Sequence, residues 1–431
     1  MYKYFPWLKN REYLIIHAFL DFLITFLISN ASLSNPSFSA FFGFSWILVS
    51  YIIGKYSISN NSKLIRSFNY LFKIFGIFLI FFLTSSILIY IWGIDSNIYK
   101  IILKIIIIQT ILFIFTNNLI IQKNLRKYFL FIGSDKNFAT CQTLIKQTSA
   151  NIELKKLTLV EDCLKEKIKG VIIEKPLPKK NQDLILFIKT LKEEGFLIYS
   201  LLDWASLELH NCPVEFFNDN DNFINQFSIL NKPFQYRIKK VSELFLSLFL
   251  LISTSPLILT AMLIIYLEDK GNIFYTQERD GIYGKQFNLI KLRTMKKDAE
   301  KKGAQWSIKN DRRITKIGSL LRKTRIDELP QLISVLKGEM NLIGPRPERR
   351  FFNQSLEKEI PFYNLRHEVR PGISGWAQVN YSYGSSTEDS KMKLSYDLYY
   401  IKNFSNLLDL LILFKTIRLV LNARGAITKN G

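Results

Sequence analysis

Two adjacent carboxylates, Asp327 and Glu328, lie among basic residues in the stretch from Leu320 to Glu348. Arg322 precedes the pair by five residues, and Arg346 follows in a Gly-Pro-Arg-Pro turn. A carboxylate can attack phosphorus or hold a metal ion, and guanidinium groups can bind the non-bridging oxygens of a phosphate. The pattern favours phosphoryl chemistry. The spacing alone equally allows a structural interpretation, in which Asp327 caps a helix and the arginines form a solvated face.

The residues after the acidic pair predict an amphipathic helix. Apolar side chains recur at the spacing of one helix face, at Leu329, Leu332, Ile333 and Leu336. Gly338 then stands where a helix commonly ends, and the prolines of the following turn would hold Arg346 on a stiff loop.

Composition indicates a membrane protein with strongly basic soluble parts. The 431 residues are 48% hydrophobic, yet the net charge is +22. From Lys232 onward there are 34 Lys and Arg against 19 Asp and Glu, a balance that suits phosphate-bearing partners such as nucleotides, anionic lipids or nucleic acid. The three cysteines and three histidines have no metal-like spacing, which argues against a zinc site, a disulfide framework and histidine-based catalysis.

The first 122 residues predict four transmembrane helices. The apolar segments that could span a bilayer are residues 13–28, 38–53, 71–92 and 98–121. Lysine and arginine cluster before the first segment, between the second and third, and after the fourth. Because positive residues accumulate on the cytoplasmic side, both the N-terminus and residue 123 are expected in the cytoplasm. A soluble four-helix core is the alternative.

Residues 123–217 predict a small α/β domain. Strand-like runs alternate with helical ones, which is typical of a parallel, doubly wound sheet. The turn after the first strand offers only Gly133, whereas a dinucleotide site needs a glycine-rich turn there. We therefore expect a degenerate Rossmann-like domain without a nucleotide site, which serves contact or regulation, followed by a polar linker over 218–233.

A second kind of membrane segment is predicted over residues 241–267. It is apolar, it is flanked by charges, and Ser255-Pro256 falls at its middle. A proline there removes a backbone hydrogen bond and bends a helix. Since residues 404–421 resemble an amphipathic surface helix rather than a returning span, the consistent topology is a re-entrant helix that enters and leaves by the cytoplasmic face. A plain fifth span is the alternative.

Two strand-like runs after this segment carry basic residues among apolar ones. Arg279, Lys291 and Arg293 are candidates to line a phosphate site, although ordinary surface positions would show the same pattern. Further on, a glycine-dense stretch over 366–380 indicates a fixed loop geometry. Tyr396, Tyr399 and Tyr400 are expected at the membrane interface.

From about Lys232 onward, the chain resembles the bacterial sugar transferase family, the polyprenyl-phosphate glycosyl-1-phosphate transferases. The resemblance is carried by TQERDGIYGKQFNLIKLRTM, by DRRITKIGSLLRKTRIDELPQLISVLKGEMNLIGPRPE, and by VRPGISGWAQVNY followed by YDLYYIKN. It implies a catalytic α/β domain over 234–431, anchored by the re-entrant helix. The preceding half is similar to that of the larger, multi-span members, with a CoA-binding-like middle domain.

The resemblance also implies roles for individual residues. Asp327 matches the nucleophile, Glu328 the magnesium-binding glutamate, and Arg322 and Arg346 the phosphate-binding arginines. Ser255-Pro256 matches the break in the family's re-entrant helix. One departure is that Lys239-Lys240-Val-Ser-Glu243 stands where the family commonly has Lys-Arg-x-x-Asp.

These matches imply a multi-pass enzyme of the cytoplasmic (inner) membrane whose catalytic domain faces the cytoplasm. It would transfer a sugar 1-phosphate from a nucleoside diphosphate sugar, a UDP-sugar by expectation, to polyprenyl phosphate and so initiate exopolysaccharide or O-antigen synthesis. Mg²⁺ is the expected cofactor and a homodimer the expected assembly. The main alternative is a catalytically silent scaffold of a polysaccharide assembly complex. A nucleic-acid binder is disfavoured, because the chain has neither a recognition helix nor interleaved aromatic and basic strand positions.

Overall fold

The computed structural model describes residues 12–33, 35–53, 55, 73–82, 99–109, 111, 127–148, 150–156, 168–174, 182–193, 195–217, 227, 232–296, 299, 311–381 and 386–421. They fall into two compact units, divided between Tyr199 and Ser200.

The N-terminal unit begins with apolar helices. Helix α1 spans Glu12–Leu33, α2 Pro36–Ile53, α3 Lys73–Phe82, and α4 residues 99–109. The first two are long and apolar enough to cross a membrane, which agrees with the first two predicted spans. The third and fourth predicted spans extend into residues outside those described, so four transmembrane helices stay a prediction.

A buried polar network connects three of these helices. The Lys55 ammonium donates to Asp21 Oδ2 at 2.6 Å and to Gln109 Oε1 at 2.7 Å. The Trp46 indole N–H donates to the same Gln109 oxygen at 2.9 Å. Because a polar group in an apolar environment is costly unless it is paired, this network fixes how α1, α2 and α4 pack.

The α/β part of this unit contains the expected alternation of strands and helices. Its elements are β1 Lys127–Ile132, α5 Asp135–Thr148, β2 Ile152–Lys156, β3 Ile168–Ile173, α6 Gln182–Glu193 and β4 Ile198–Ser200. The strand order is β2-β1-β3-β4, and β1 is parallel to both of its neighbours. Leu130, Val171 and Leu191 form a core between the sheet and α6. The Rossmann-like, doubly wound assignment stays a prediction.

The turn after β1 is occupied by a side chain of the domain itself. The Glu174 carboxylate accepts hydrogen bonds from the Ser134 backbone N–H at 2.6 Å and from Asn137 Nδ2 at 2.8 Å, next to the N-terminus of α5. A Cβ on Gly133 would lie 2.5 Å from this carboxylate. Nucleotide-binding turns place a phosphate at this position, so Glu174 gives a physical reason to expect none here.

The C-terminal unit is built around helix α13, Thr387–Lys402, whose residues from Leu394 to Ile401 are all buried. Its other helices are α7 Leu201–Trp204, α8 Pro233–Asp269, α9 Lys316–Thr324, α10 Leu332–Leu336, α11 Arg350–Glu359, α12 Trp376–Asn380 and α14 Asn406–Leu421. A π-helix spans Ala205–Leu209, and 3₁₀ helices span Val214–Phe216, Ile282–Gly284, Ile326–Gln331 and Tyr363–Glu368. The strands β5 Phe274–Asp280 and β6 Gln286–Leu292 form an antiparallel hairpin, and β7 Asn341–Ile343 is parallel to β8 Gly372–Ser374.

The tyrosines of α13 do not lie at a membrane interface, so that prediction is wrong. Tyr396, Tyr399 and Tyr400 are 4%, 0% and 1% exposed. The Tyr399 ring stacks on Trp376, and the Tyr400 hydroxyl donates to Asp409 Oδ1 at 2.8 Å. Amphipathic aromatic residues suit an interface and a core with polar partners equally well, and only the packing distinguishes the two.

The segment 200–217 belongs to the C-terminal unit, although residues 123–217 were predicted to form the middle domain. The Trp376 indole N–H donates to the His210 carbonyl at 3.0 Å, and the Cys212 N–H donates to the Ser395 carbonyl at 2.8 Å. Trp204 in the same segment is fully buried. These contacts make residues 200–217 part of the C-terminal core.

Helix α8 is continuous over 37 residues with Pro256 inside it, and it is long and apolar enough to cross a membrane. Proline lacks the N–H that would bond to the Ile252 carbonyl, and the Ser255 hydroxyl donates to that carbonyl at 2.7 Å instead. The Ser-Pro pair is therefore a unit in which the serine satisfies the acceptor that the proline leaves. Re-entrant insertion of this helix stays a prediction.

A buried ion-pair cluster fixes the start of α8. The Lys239 ammonium donates to Glu243 Oε1 at 2.7 Å, to Asp409 Oδ2 at 2.9 Å and to the Ile343 carbonyl at 2.9 Å. Glu243 Oε1 also accepts from the Ile343 N–H at 3.1 Å. Lys239 and Glu243, the first and last residues of the stretch that departs from the family pattern, therefore bind the carbonyl and the N–H of Ile343. Ile343 directly precedes the Gly-Pro-Arg-Pro turn.

Replacing Lys239 with methionine should destabilise the C-terminal unit by about 3–5 kcal/mol, because Glu243 and Asp409 would stay buried without their cation. Thermal unfolding of the detergent-solubilised protein would measure the change. Lys240→Met is the matched control, since Lys240 is the next residue and is exposed. Equal unfolding temperatures for the two variants would contradict a stabilising role for the cluster.

Candidate active site

The acidic pair lies in the 3₁₀ helix Ile326–Gln331, between α9 and α10. Arg325 adopts a left-handed conformation with φ 59° and turns the chain from α9 into this helix. Asp327 and Glu328 are each 6% exposed. No side-chain hydrogen bond caps the 3₁₀ helix, so the alternative in which Asp327 is an N-cap does not hold.

The predicted amphipathic helix is present in a divided form. Ile326–Gln331 is 3₁₀, and the α-helical part is confined to Leu332–Leu336. Pro330 lies at the junction and has no N–H to donate, which interrupts the regular α-helical pattern. Gly338 has φ 76° and ends the helical region as expected.

Glu328 is surrounded by three cations. The Lys291 ammonium and one Arg346 nitrogen each lie 2.8 Å from Glu328 Oε1, and an Arg325 nitrogen lies 3.0 Å from Oε2. Burial alone would raise the pKa of Glu328, but Arg346, Lys291 and Arg325 hold it well below its usual range. Glu328 is therefore ionised at neutral pH.

The pKa of Asp327 is shifted in the opposite direction from that of Glu328. Its Oδ1 atom is buried, with no hydrogen-bond partner among the described residues. Burial and then the charge of Glu328 raise the pKa of Asp327 to about 6, against the pull of Lys291 and two arginines. A buried carboxylate with an oxygen that has no partner in the described structure, beside an ionised carboxylate, is an arrangement found at catalytic sites, because a structural carboxylate would have its hydrogen bonds satisfied.

Arg346 is positioned by a tightly held turn. The Gly344 N–H donates to the Ser374 carbonyl and the Gly372 N–H to the Pro345 carbonyl, each at 2.8 Å. A Cβ on Gly372 would lie 2.1 Å from the Gly344 nitrogen, so only glycine fits. The buried Arg366 guanidinium donates to the Arg346 carbonyl at 2.9 Å and to Asp397 Oδ2 at 2.8 Å. Arg366 was not among the predicted site residues, although it begins the glycine-dense stretch over 366–380.

The three basic residues of the β5–β6 region have different partners. Lys291, on β6, reaches Glu328. Arg279 donates to the Pro347 carbonyl at 3.1 Å and to Gln277 Oε1 at 2.7 Å, so it supports the turn that carries Arg346. Arg293 pairs with Asp269 at the end of α8. The structure brings Lys291 to the acidic pair and does not bring Arg279 or Arg293 there.

Two arginines of α9 and its C-cap complete the site. Arg322 Nε donates to Thr294 Oγ1 at 2.8 Å, and its charge lowers the pKa of Asp327, so it lies close to the predicted nucleophile. Arg325 was missed as a site residue, although it stands in the basic run directly before Asp327. Sequence spacing gave no reason to prefer it over Lys323, because the left-handed turn that aims its side chain is a product of the tertiary structure.

The contacts of the Glu328 carboxylate determine whether it could hold a magnesium ion. Glu328 Oε1 already accepts from two cations, whereas Oε2 accepts from Arg325 and from no other residue in the described part of the chain, which leaves it room for a further ligand. Among the described residues, no group of three or more His, Cys, Asp or Glu side chains could hold a metal. Mg²⁺ commonly binds one or two carboxylates plus substrate phosphates and water, so these residues fit it as a substrate-shared ion.

Comparison with known proteins assigns the C-terminal unit. Residues 234–423 match the model of the bacterial sugar transferase family. A putative undecaprenyl-phosphate N-acetylgalactosaminyl 1-phosphate transferase of Bacillus subtilis is 49% identical over 144 residues, which cover 33% of this chain and 80% of that protein. The chain belongs to the bacterial sugar transferase family. That relation places the acidic pair, the Gly-Pro-Arg-Pro turn and the glycine-dense loop inside the family's own domain.

Two relatives longer than the B. subtilis protein match over 199 and 182 residues of this chain. The UDP-N-acetylgalactosamine-undecaprenyl-phosphate N-acetylgalactosaminephosphotransferase of Aeromonas hydrophila is 46% identical over 199 residues, 46% of this chain and 47% of that protein. The UDP-glucose:undecaprenyl-phosphate glucose-1-phosphate transferase of Escherichia coli is 37% identical over 182 residues, which cover 42% of this chain and 39% of that protein. The matched region thus spans about half of the A. hydrophila relative and less of the E. coli one.

Proposed function

We propose that this protein transfers a sugar 1-phosphate from a nucleoside diphosphate sugar to a polyprenyl phosphate. The observation that carries the proposal is the contrast within the acidic pair: Glu328 contacts three cations, while Asp327 Oδ1 is buried and has no hydrogen-bond partner among the described residues. The relatives' names, which specify undecaprenyl-phosphate sugar phosphotransferases, support the reaction class. Among the named donors are UDP-sugars, which makes a UDP-sugar the first choice for this chain.

In the proposed mechanism Asp327 is the nucleophile. One of its carboxylate oxygens bonds to the sugar-bearing phosphorus, and the bond from that phosphorus to the bridging oxygen breaks, so nucleoside monophosphate leaves with both electrons. The result is a phosphosugar–aspartyl intermediate. An oxygen of polyprenyl phosphate then attacks the same phosphorus and releases the Asp327 carboxylate unchanged.

The surrounding cations make this approach of anions feasible. A carboxylate that attacks a diphosphate meets strong repulsion unless positive charge is placed beforehand. Lys291 and Arg346 reach the pair from β6 and from the Gly-Pro-Arg-Pro turn, and Arg322 reaches it from α9. When bound, a magnesium ion at Glu328 Oε2 would supply further positive charge to the phosphate oxygens.

The proposed location of the reaction is the cytoplasmic face of the inner membrane. The positive residues that flank the apolar segments predict a cytoplasmic N-terminus. Helix α8 contacts the site's scaffold at its start, through Lys239 and Ile343, and at its end, through Asp269 and Arg293. A membrane-inserted α8 would therefore hold the catalytic residues close to the bilayer surface, where a lipid phosphate and a soluble nucleotide can both arrive.

The reaction can be tested by release of nucleoside monophosphate. Detergent-solubilised protein would receive polyprenyl phosphate, Mg²⁺ and a panel of UDP-sugars, with Asp327→Asn as the control. Release with one sugar by the wild type, and none by the variant, would establish both the reaction and the donor. No release by folded protein across UDP-, GDP- and dTDP-sugars would refute the proposal in favour of the silent scaffold.

The first half-reaction should depend on the ionisation of Asp327. Because its pKa is raised to about 6, the carboxyl is protonated and unreactive below that pH, and the rate should rise about tenfold per pH unit up to about pH 6 and then level off. The rate constant of the nucleotide burst after rapid mixing, measured from pH 5 to 8, would check this. A rate that is flat across pH 5–7 would contradict the assignment.

A further inference from the structure

Arg325 has a backbone conformation that arginine rarely adopts. Its φ of 59° and ψ of 15° are left-handed, a strained conformation for a residue with a Cβ and one in which glycine or asparagine is usually found. The same turn places its guanidinium 3.0 Å from Glu328 Oε2, three residues ahead. A strained arginine whose side chain reaches a buried carboxylate indicates that the contact, rather than the turn, requires this residue.

The three cations on Glu328 are not equivalent. Lys291 and Arg346 share Oε1, whereas among the described residues Arg325 is the one cation that contacts Oε2. The side chain of Arg325 is also the most exposed of the three, at 29% against 18% for Lys291 and 21% for Arg346. Lys291 lies on a paired strand, and Arg346 lies on a turn that Arg366 holds, so the backbone at both residues is fixed in position. Oε2 is thus the oxygen whose cation is the most accessible of the three.

A divalent ion at Glu328 would meet these same charges. Any cation that binds Oε2 approaches the Arg325 guanidinium at close range, and two like charges around one buried carboxylate oxygen repel strongly. The ion can bind well only if Arg325 moves away or if an anion arrives with it. The diphosphate of a donor would be such an anion.

We propose that Arg325 is an internal substitute for the metal on Glu328 Oε2, and that the metal and Arg325 exchange at this oxygen. Without substrate, Arg325 neutralises Glu328 and keeps its affinity for free divalent cations low. When a metal–nucleotide complex binds, Arg325 leaves Oε2, and its guanidinium becomes available to a phosphate oxygen. The exchange couples metal binding to donor binding. This inference rests on the proposed function for its biological meaning and not for its test.

The test is a Mn²⁺ titration of the full-length protein in nanodiscs without substrate, in which electron paramagnetic resonance measures free Mn²⁺. Arg325→Asn keeps a residue that tolerates the left-handed turn and removes the charge. It should bind Mn²⁺ roughly tenfold more tightly than the wild type, the size of effect that a neighbouring unit charge commonly has on a buried ionic site. Arg325→Lys, which keeps a cation, should bind no more tightly than the wild type.

Two further variants make the result specific. Lys323→Gln changes the net charge equally, but Lys323 is exposed, so its Mn²⁺ affinity should equal that of the wild type. Glu328→Gln combined with Arg325→Asn should lose the gain. The inference is overturned if Arg325→Asn binds no more tightly than the wild type, if Lys323→Gln gains equally, or if the double variant keeps the gain. The two hypotheses can fail separately. If Arg325→Asn gains Mn²⁺ affinity only when Glu328 is present, but the protein releases no nucleotide with any donor, the exchange at Oε2 is upheld and the proposed transferase function is refuted.

Discussion

Asp327→Asn is expected to lower sugar-phosphate transfer by at least about 1,000-fold, because the amide cannot form the phosphosugar–aspartyl intermediate. The same substitution should stabilise the C-terminal unit. A carboxyl that is forced to ionise where it is buried and unpartnered opposes folding, and the amide has no charge to bury. Loss of activity together with a gain in stability would distinguish a catalytic carboxylate from a structural one.

The sign and size of the stability effect follow from the shift in pKa. The pKa of Asp327 is about 6 when folded against an ordinary 3.8, a difference that corresponds to about 3 kcal/mol. A raised pKa means that the folded state keeps its proton longer than the unfolded state. The wild type therefore loses this stability as the pH rises from about 4 to about 6, and the loss is constant above that.

The measurement is the apparent melting temperature of wild type and Asp327→Asn from pH 4 to 8. We expect equal values near pH 4 and a variant that is several degrees more stable above pH 6.5. A variant that is less stable at pH 7.5 would show that Asp327 has a structural partner, and the nucleophile assignment would then lose its physical basis.

Glu328→Gln is expected to have the opposite effect on stability. Removing its charge leaves Lys291, Arg346 and Arg325 close together around a neutral group, and breaking a buried ion pair on one side costs about 3–5 kcal/mol. Transfer should also fall by about 100-fold or more, because the cations lose their fixed positions relative to Asp327. Adjacent substitutions in one 3₁₀ helix would then shift the melting temperature in opposite directions.

The pH dependence distinguishes this variant as well. The pKa of Glu328 is held low in the folded state, so its ionised form stabilises the protein above its ordinary pKa of 4.5, and the contribution is lost as the pH falls through the lower folded value. The difference in melting temperature between wild type and Glu328→Gln should therefore become smaller at acid pH. Glu357→Gln is the matched control, since Glu357 is exposed on α11. A Glu328→Gln melting temperature equal to that of this control would refute a stabilising role for the three cations around Glu328.

Several features of the protein were determined by the sequence alone, since residue type and local order carry them. The apolar length of the first two helices and of α8 follows from composition along the chain. The candidate nucleophile and Arg346 stand in motifs long enough to identify the family, and Gly338 ends the helical region where a glycine was expected. Lys291 was a candidate as well, but sequence could not separate it from Arg279 and Arg293.

Tertiary structure decided what each of those residues does. Lys291, Arg346 and Arg325 come from a strand, a turn and a helix cap, and only packing brings them to one carboxylate while Arg279 and Arg293 bind elsewhere. The tyrosines of α13 lie in the core, and residues 200–217 join the C-terminal unit, because burial depends on distant partners such as Trp376. Burial raises the pKa of both adjacent carboxylates, and the two differ because Arg346 and Lys291, which are distant in the chain, lie against Glu328 and lower its pKa.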